Sequence, residues 1–341
     1  MKIVHIIDSL EINGGSMMCF EMASAMRRDF KDCQIECLVV SKTGEYGRKK
    51  ITAKKFAQFY GWEMPSIKYD EFYKKSCEYK DCIILHHRLE CTRPLKFKIK
   101  PFLYLVINHT VQSLNRLKKF SNADLVVSVC KYLRERSPAL NVPHKVILNG
   151  ISQNNSLPSK QFDFITGRCH RLPSSKFSMN SLRFIDSLPI KNHKHFIAGP
   201  DSVGIGSYVK KSKCVQYLKK LDDQKEKQAL IRSFDVYFYD TYGPEGTSVA
   251  ILEGLAAGVP VMCKPFGGNK ELVLKDVNGY YYNDFKEART ILLRLAENKK
   301  ELKEMKEKVR EDFEKRLSVE RCIGEYRTLI EKWKGNINGS N

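Results

Sequence analysis

The chain has 341 residues, 42% hydrophobic and 29% charged, which is long for one compact domain, sufficient for two and too globular a balance for long disorder. Lys plus Arg number 59 against 39 Asp plus Glu, a formal net charge of +20, and no window approaches the ~18 unbroken apolar residues of a membrane span. Eleven cysteines without a C-x-x-C pair exclude a disulfide or zinc framework and read as buried thiols in a reducing, cytoplasmic setting.

Ile3–Ile7 reads as a buried strand, and Asp8 and Glu11 follow it too soon for a signal peptide. Gly14-Gly15 then opens a helix in which Met18, Met22, Ala25 and Met26 recur at helical spacing, a core stripe. Further strands are expected over Ile35–Val40, Cys82–His86, Phe102–Ile107, Leu125–Val129 and Lys145–Leu148, with His86 and His87 on opposite faces. Ser152–Lys160 reads as a polar linker. The pattern then repeats over Phe162–Thr166, Lys194–Ala198, Cys214–Tyr217, Val236–Tyr239 and Val259–Cys263, and the chain is mostly helical from Phe285 to Trp333. Near-continuous apolar strands separated by helices indicate parallel sheets covered on both faces. The expected fold is α/β: two Rossmann-like doubly wound domains over residues 1–152 and 160–315, facing a cleft. A helix over 316–335 is expected to pack back toward the first domain. In such folds ligands bind at the carboxyl ends of the strands, where helix N-termini favour anions.

The sharpest segment runs from Tyr242 to Val261 and carries Glu245 and Glu253 eight residues apart. It leaves the strand Val236–Tyr239, loops through Gly243-Pro244 and enters a helix near Ser248. Glu245 is then left in the loop at the helix mouth and Glu253 lies about two turns in. Free N–H groups near Gly246, Thr247, Ser248 and Val249 suit phosphate oxygens.

At these residues the chain resembles the GT-B glycosyltransferases, specifically the family-4 group of retaining, nucleotide-sugar-dependent enzymes (glycosyl transferases group 1). Glu245 to Glu253 with Ala-Ala-Gly-Val-Pro resembles the family's E-x₇-E signature, and Gly267-Gly-Asn-Lys-Glu-Leu-Val273 its continuation. Gly14-Gly15 matches its N-terminal glycine loop, His109 its cleft histidine, and Gly167-Arg168 with Lys176 its basic phosphate motif. Arg171 rivals Arg168, because Arg171-Leu-Pro-Ser-Ser-Lys176 has the commoner spacing. The resemblance implies that Arg168 and Lys176 stabilise the leaving diphosphate and that Glu253 accepts the ribose hydroxyls. It implies that Glu245 lies at the donor-sugar face and that His109 orients the sugar or the acceptor hydroxyl. Thr247-Ser248 stands where Phe-Gly is common in the family, which leaves the donor sugar open. No Asp-x-Asp occurs, so the charge on the leaving group is expected from protein, with no metal and no cofactor.

The charge points to a polyanionic partner beside the nucleotide sugar. Between Glu90 and Asp124 stand Arg93, Lys96, Lys98, Lys100, Arg116, Lys118 and Lys119 and no acid; Lys42–Lys55 and Asp201–Asp222 are also lysine-rich. The first reading is transfer to a glycan or glycolipid at an anionic surface by a cytoplasmic, peripherally membrane-associated protein, with Gln112–Phe120 as a short amphipathic contact. A second keeps the chemistry but modifies a hydroxylated base in DNA. A third class is a non-catalytic nucleotide or nucleic-acid binder.

Overall fold

The computed structural model describes residues 1–8, 14–42, 57–88, 93–111, 114–155, 162–170, 177–200, 204–219, 221, 223–243 and 245–338. Two compact units divide it: Met1–Ser152 together with Val319–Asn341, and Gln153–Ser318. The division places the helix Val319–Asn338 with the first unit, where it packs on the helix Gly14–Asp29.

The first unit is built on seven parallel strands: β1 (Lys2–Ile7), β2 (Gln34–Ser41), β3 (Ser66–Lys68), β4 (Cys82–Arg88), β5 (Leu103–Asn108), β6 (Leu125–Ser128) and β7 (His144–Val146). Their order is β3-β2-β1-β4-β5-β6-β7. Every residue of β4, β5 and β6 is buried, as expected where helices cover both faces of a sheet. Each fully buried Leu, Ile or Phe side chain contributes on the order of 1.5–3 kcal/mol. The second unit carries six parallel strands: β8 (Phe164–Cys169), β9 (His193–Ala198), β10 (Val215–Tyr217), β11 (Val236–Tyr239), β12 (Val261–Cys263) and β13 (Gly279–Tyr281). Their order is β10-β9-β8-β11-β12-β13. The edge strands β3 and β13 were not expected from sequence. Each is three residues long, too short to display a period.

Two expectations are corrected here. The strand expected over Phe162–Thr166 leaves Gly167-Arg168 just past its end, but β8 runs on to Cys169 and both residues lie inside it. Gly167 has a packing reason: a Cβ there would run into the Phe234 ring, which occupies the space above the glycine. The amphipathic reading of Gln112–Phe120 also changes. Leu114–Phe120 is a 3₁₀ helix whose Leu117 and Phe120 are buried in the first unit's own core with Phe72, Leu95 and Tyr104, and Leu114 packs on the same cluster. Its apolar face is therefore not available to a lipid surface. Among the described residues no helix is long and apolar enough to cross a membrane.

Candidate functional site

The carboxyl edge of the second sheet is where its polar side chains concentrate. After β11 the chain passes through Gly243, at φ +98, to Glu245, and the helix Val249–Ala256 begins with Ser248 at its N-cap. That helix stops because Gly258 adopts φ +69 just past its end, a left-handed conformation glycine accepts without strain. Its start leaves the first-turn N–H groups without intrahelical acceptors. Gly246 and Ser248 are buried there, with Thr247 and Val249 half-buried.

Glu245 is anchored from two sides. Its Oε2 accepts a hydrogen bond from Tyr239 Oη at 2.9 Å, and its carbonyl accepts from Gly268 N at 2.9 Å. Burial, and then the Glu245 charge, push the Tyr239 phenol well above its usual range, so it stays a donor. The second contact joins Glu245 to the turn Gly267-Gly268-Asn269. Asn269 is fully buried, and neither atom of its side-chain amide has a hydrogen-bond partner among the described residues. Buried amides without partners are costly and uncommon in folded proteins, so this amide is a ready ligand group. Glu253, on the helix, is engaged differently: Lys227 Nζ donates to its Oε1 at 2.5 Å, with the two side chains 19% and 11% exposed.

Arg168 is only 1% exposed and is committed inside the unit. Its Nε donates to His170 Nε2 at 2.9 Å and its Nη1 to the Asp240 carbonyl at 3.0 Å. The guanidinium lies over the rings of Phe177 and Tyr239, at 4.8 Å and 5.6 Å from their centroids. Burial lowers its pKa from the ordinary value. The structure thus links Arg168 to Glu245 through Tyr239, while the residue carried to the end of β8 is His170. Arg171 and Lys176 lie outside the described residues, as do residues 43–55 of the basic loop.

Asp240, immediately after β11, is fully buried and receives Ser181 Oγ, Tyr282 Oη at 2.7 Å and Lys264 Nζ at 3.0 Å. Burial pushes its carboxyl up, but these donors outweigh it and the net shift is downward. Sequence reasoning missed Lys227, Asp240, Lys264, His170 and Asn269. A usable signal existed for three of them: His170, Asp240 and Lys264 directly follow β8, β11 and β12, the edge at which doubly wound domains bind ligands.

In the first unit, Gly14 and Gly15 start the helix Gly14–Asp29 and are half-buried. His109 directly follows β5 and is also half-buried. Its Nε2 lies 3.0 Å from Nδ1 of His87, and His87 Nε2 lies 3.0 Å from His5 Nδ1. Beside it, the buried Arg88 donates to Asn108 Oδ1 at 2.6 Å. Burial, with Arg116 adding to it, brings the Arg88 pKa down to about 10.

Residues 182–312 match the family described as glycosyl transferases group 1. An uncharacterized glycosyltransferase of Methanocaldococcus jannaschii is 23% identical over 106 residues, covering 30% of this chain and 27% of that protein. The chain therefore aligns with about a quarter of that relative's length. Among solved structures, Anabaena HepE in complex with UDP and glucose superposes at a TM-score of 0.73 with 16% identity, over 97% of this chain and 100% of that one. Sucrose-phosphate synthase of Thermosynechococcus elongatus gives 0.72 at 13% identity, over 98% and 100%. A TarM variant of S. aureus in complex with fondaparinux, alpha-GlcNAc-glycerol and UDP gives 0.73 at 12% identity, over 96% and 99%. The fold is GT-B, with two parallel-sheet Rossmann-like domains of seven and six strands, and the stretch that matches the glycosyl transferases group 1 family lies within the second.

Proposed function

We propose that this protein is a retaining glycosyltransferase that moves a sugar from a nucleoside-diphosphate sugar to an acceptor hydroxyl without a metal ion. The observation that carries this is the placement of Glu245 and Glu253 around the start of the helix Val249–Ala256, inside the stretch that matches the family. A carboxylate just over one turn into that helix suits the two ribose hydroxyls, from which it can accept with both oxygens. Glu245, held by Tyr239, would oppose positive charge developing at the anomeric carbon. N–H groups of residues 247–249 would take phosphate oxygens, with Lys176 and Arg171 as the cations offsetting the charge of the departing diphosphate. Arg168 contributes by holding His170 at the end of β8. The leaving phosphate itself would take the acceptor proton, so no side-chain base is assigned. HepE and TarM were each crystallised with UDP, which makes a uridine nucleotide the first donor to try.

The acceptor we propose is anionic. Arg93, Lys96, Lys98, Lys100, Arg116, Lys118 and Lys119 are all exposed on the first unit. A glycan or glycolipid at an anionic surface fits such a patch through charge alone. Duplex DNA carrying a hydroxylated base is the second reading, supported by the same charge. A panel of nucleotide sugars, followed by hydrolysis and by the anomeric configuration of the product, tests the chemistry. Transfer with retention, undiminished by chelators, is expected. No turnover with any donor, or loss of turnover on chelation, refutes the proposal. Competition between anionic vesicles and duplex DNA for binding separates the two acceptors.

A further inference from the structure

Three histidines from the first unit form one hydrogen-bonded row across neighbouring strands. β1, β4 and β5 are adjacent in the sheet, and His5 lies opposite Leu85 in the register. His87 stands two residues beyond Leu85 on the same face and lies opposite Ile107, and His109 stands two beyond Ile107. Each step therefore climbs one dipeptide toward the carboxyl edge, where ligands of such sheets bind. The two N···N distances are 3.0 Å, and the ring planes lie 24° and 11° apart with centroids 5.3 Å and 5.2 Å apart, the arrangement of rings joined end to end through their nitrogens. Burial lowers the pKa of His5 and of His109 to about 3, and holds that of His87 well below the usual value, so the row is neutral at neutral pH.

A neutral imidazole has one N–H and one lone pair. Two bonds in series therefore force the protons into line, and only two arrangements exist. In the outward one, His5 Nδ1–H donates to His87 Nε2, His87 Nδ1–H donates to His109 Nε2, and His109 presents Nδ1–H. The inward one leaves an N–H on His5 Nε2. Both terminal atoms, His5 Nε2 and His109 Nδ1, are buried without a partner among the described residues. An orphaned N–H is the rarer defect in protein interiors, and at His5, deep under the helix Gly14–Asp29, no ligand can relieve it. At the strand edge, where His109 as a residue is only half-buried, a substrate oxygen can.

We propose that His5 and His87 are positioning residues that lock His109 in its Nδ1–H tautomer, so that His109 meets substrate as a hydrogen-bond donor to a hydroxyl or ring oxygen. The activity consequence rests on the proposed function, whereas the tautomer does not. His5, Cys19 and His87 also bring ligand atoms within 4.8 Å of one another. A metal held there would use the lone pairs that the row needs for its hydrogen bonds, so it is a competing outcome.

The test is ring nitrogen NMR on the full chain labelled with ¹⁵N-histidine, beside transfer kinetics. Wild type is expected to show His109 Nδ1 protonated and Nε2 bare. His87→Phe keeps an aromatic ring at that position and removes both bonds. It should leave His109 a mixture of tautomers and lower kcat about tenfold, the worth of one hydrogen bond, with little change in KM. His87→Gln, whose amide can both donate and accept, should restore part of both signals. His5→Phe, which breaks only the deep bond, should also mix the tautomers and serves if His87→Phe does not fold. The reversed tautomer in wild type, an unchanged His109 spectrum in both Phe variants, or stoichiometric zinc or copper lost on His87→Phe overturns the proposal. Absence of transfer with any donor would sink the functional reading and leave the spectra to decide the row.

Discussion

Replacing Glu253 with Gln separates the nucleotide-binding role of its carboxylate from its structural one. The change preserves side-chain volume and removes the charge, with two consequences of different size. The pair with Lys227 is broken; at 19% and 11% exposure it is partly screened, so a cost of about 1 kcal/mol is expected rather than the larger figure for a fully buried pair. Two hydroxyl bonds to a carboxylate become bonds to a neutral amide, one end of which cannot accept. Charge-assisted bonds are worth about 1.5–3 kcal/mol and neutral ones about 0.5–1.5 kcal/mol, so a loss of about 2–3 kcal/mol follows, or roughly 30- to 150-fold in Kd. Titration calorimetry with UDP, GDP and ADP reads this directly. Lys227→Met is the control: it breaks the same pair and should lower the melting temperature similarly, but it leaves both carboxylate oxygens in place. Its nucleotide affinity should stay within about fivefold of wild type, half the tenfold that 1.4 kcal/mol would bring. A Glu253→Gln protein binding every nucleotide within about twofold of wild type would refute the assignment, as would a Lys227→Met protein matching its loss.

Asn269→Leu should leave the melting temperature unchanged or raised, because an amide with no partner among the described residues is replaced by an apolar group of similar size, yet it should abolish donor turnover. A destabilised variant with normal turnover would show the amide to be structural. Gly167→Ala should cost about 1–3 kcal/mol by driving a methyl into Phe234, and Phe234→Leu in the same chain should recover part of it; denaturant midpoints decide, and additive losses would refute the packing account. Stability should fall as pH drops below about 6.5. Burial holds the folded pKa of His5, His86 and His109 near 3, so the unfolded chain binds protons first, and the contribution is complete above about 6.5 and lost toward 3. At pH 5.5 each of the three costs about 1.4 kcal/mol relative to pH 7.5, and equal midpoints at the two values would contradict the burial of this cluster.

Most of the architecture was readable because apolar strands of five or more residues are hard to mistake when helices alternate with them. β1, β2, β4, β5, β8 and β9 all overlap segments expected from sequence, and the start of the helix Val249–Ala256 falls where Ser248 and Gly243 place it. What stayed hidden was the allocation of partners. Sequence alone places Gly167 and Arg168 just past the end of a strand. The glycine answers instead to the Phe234 ring, and the arginine to the carbonyl of Asp240, which is 72 residues further along the chain. That contact exists because β11 crosses over to lie beside β8, and no local pattern encodes a crossover neighbour.

The same reasoning accounts for the histidines. His86 and His87 were separable by strand alternation alone, and the structure puts His86 against Tyr104 and Phe120 while His87 joins the row on the other face. A sequence shows that His5, His87 and His109 each sit in or just after a strand. It does not show that β1, β4 and β5 are consecutive in the sheet, nor that the register offsets each histidine by two residues from the last. Only with both facts does a set of core residues become a directional chain. A neutral row with one end in a fully buried residue and the other in a half-buried residue at the carboxyl edge has a preferred direction, because the unsatisfied proton is tolerated only where a ligand can meet it.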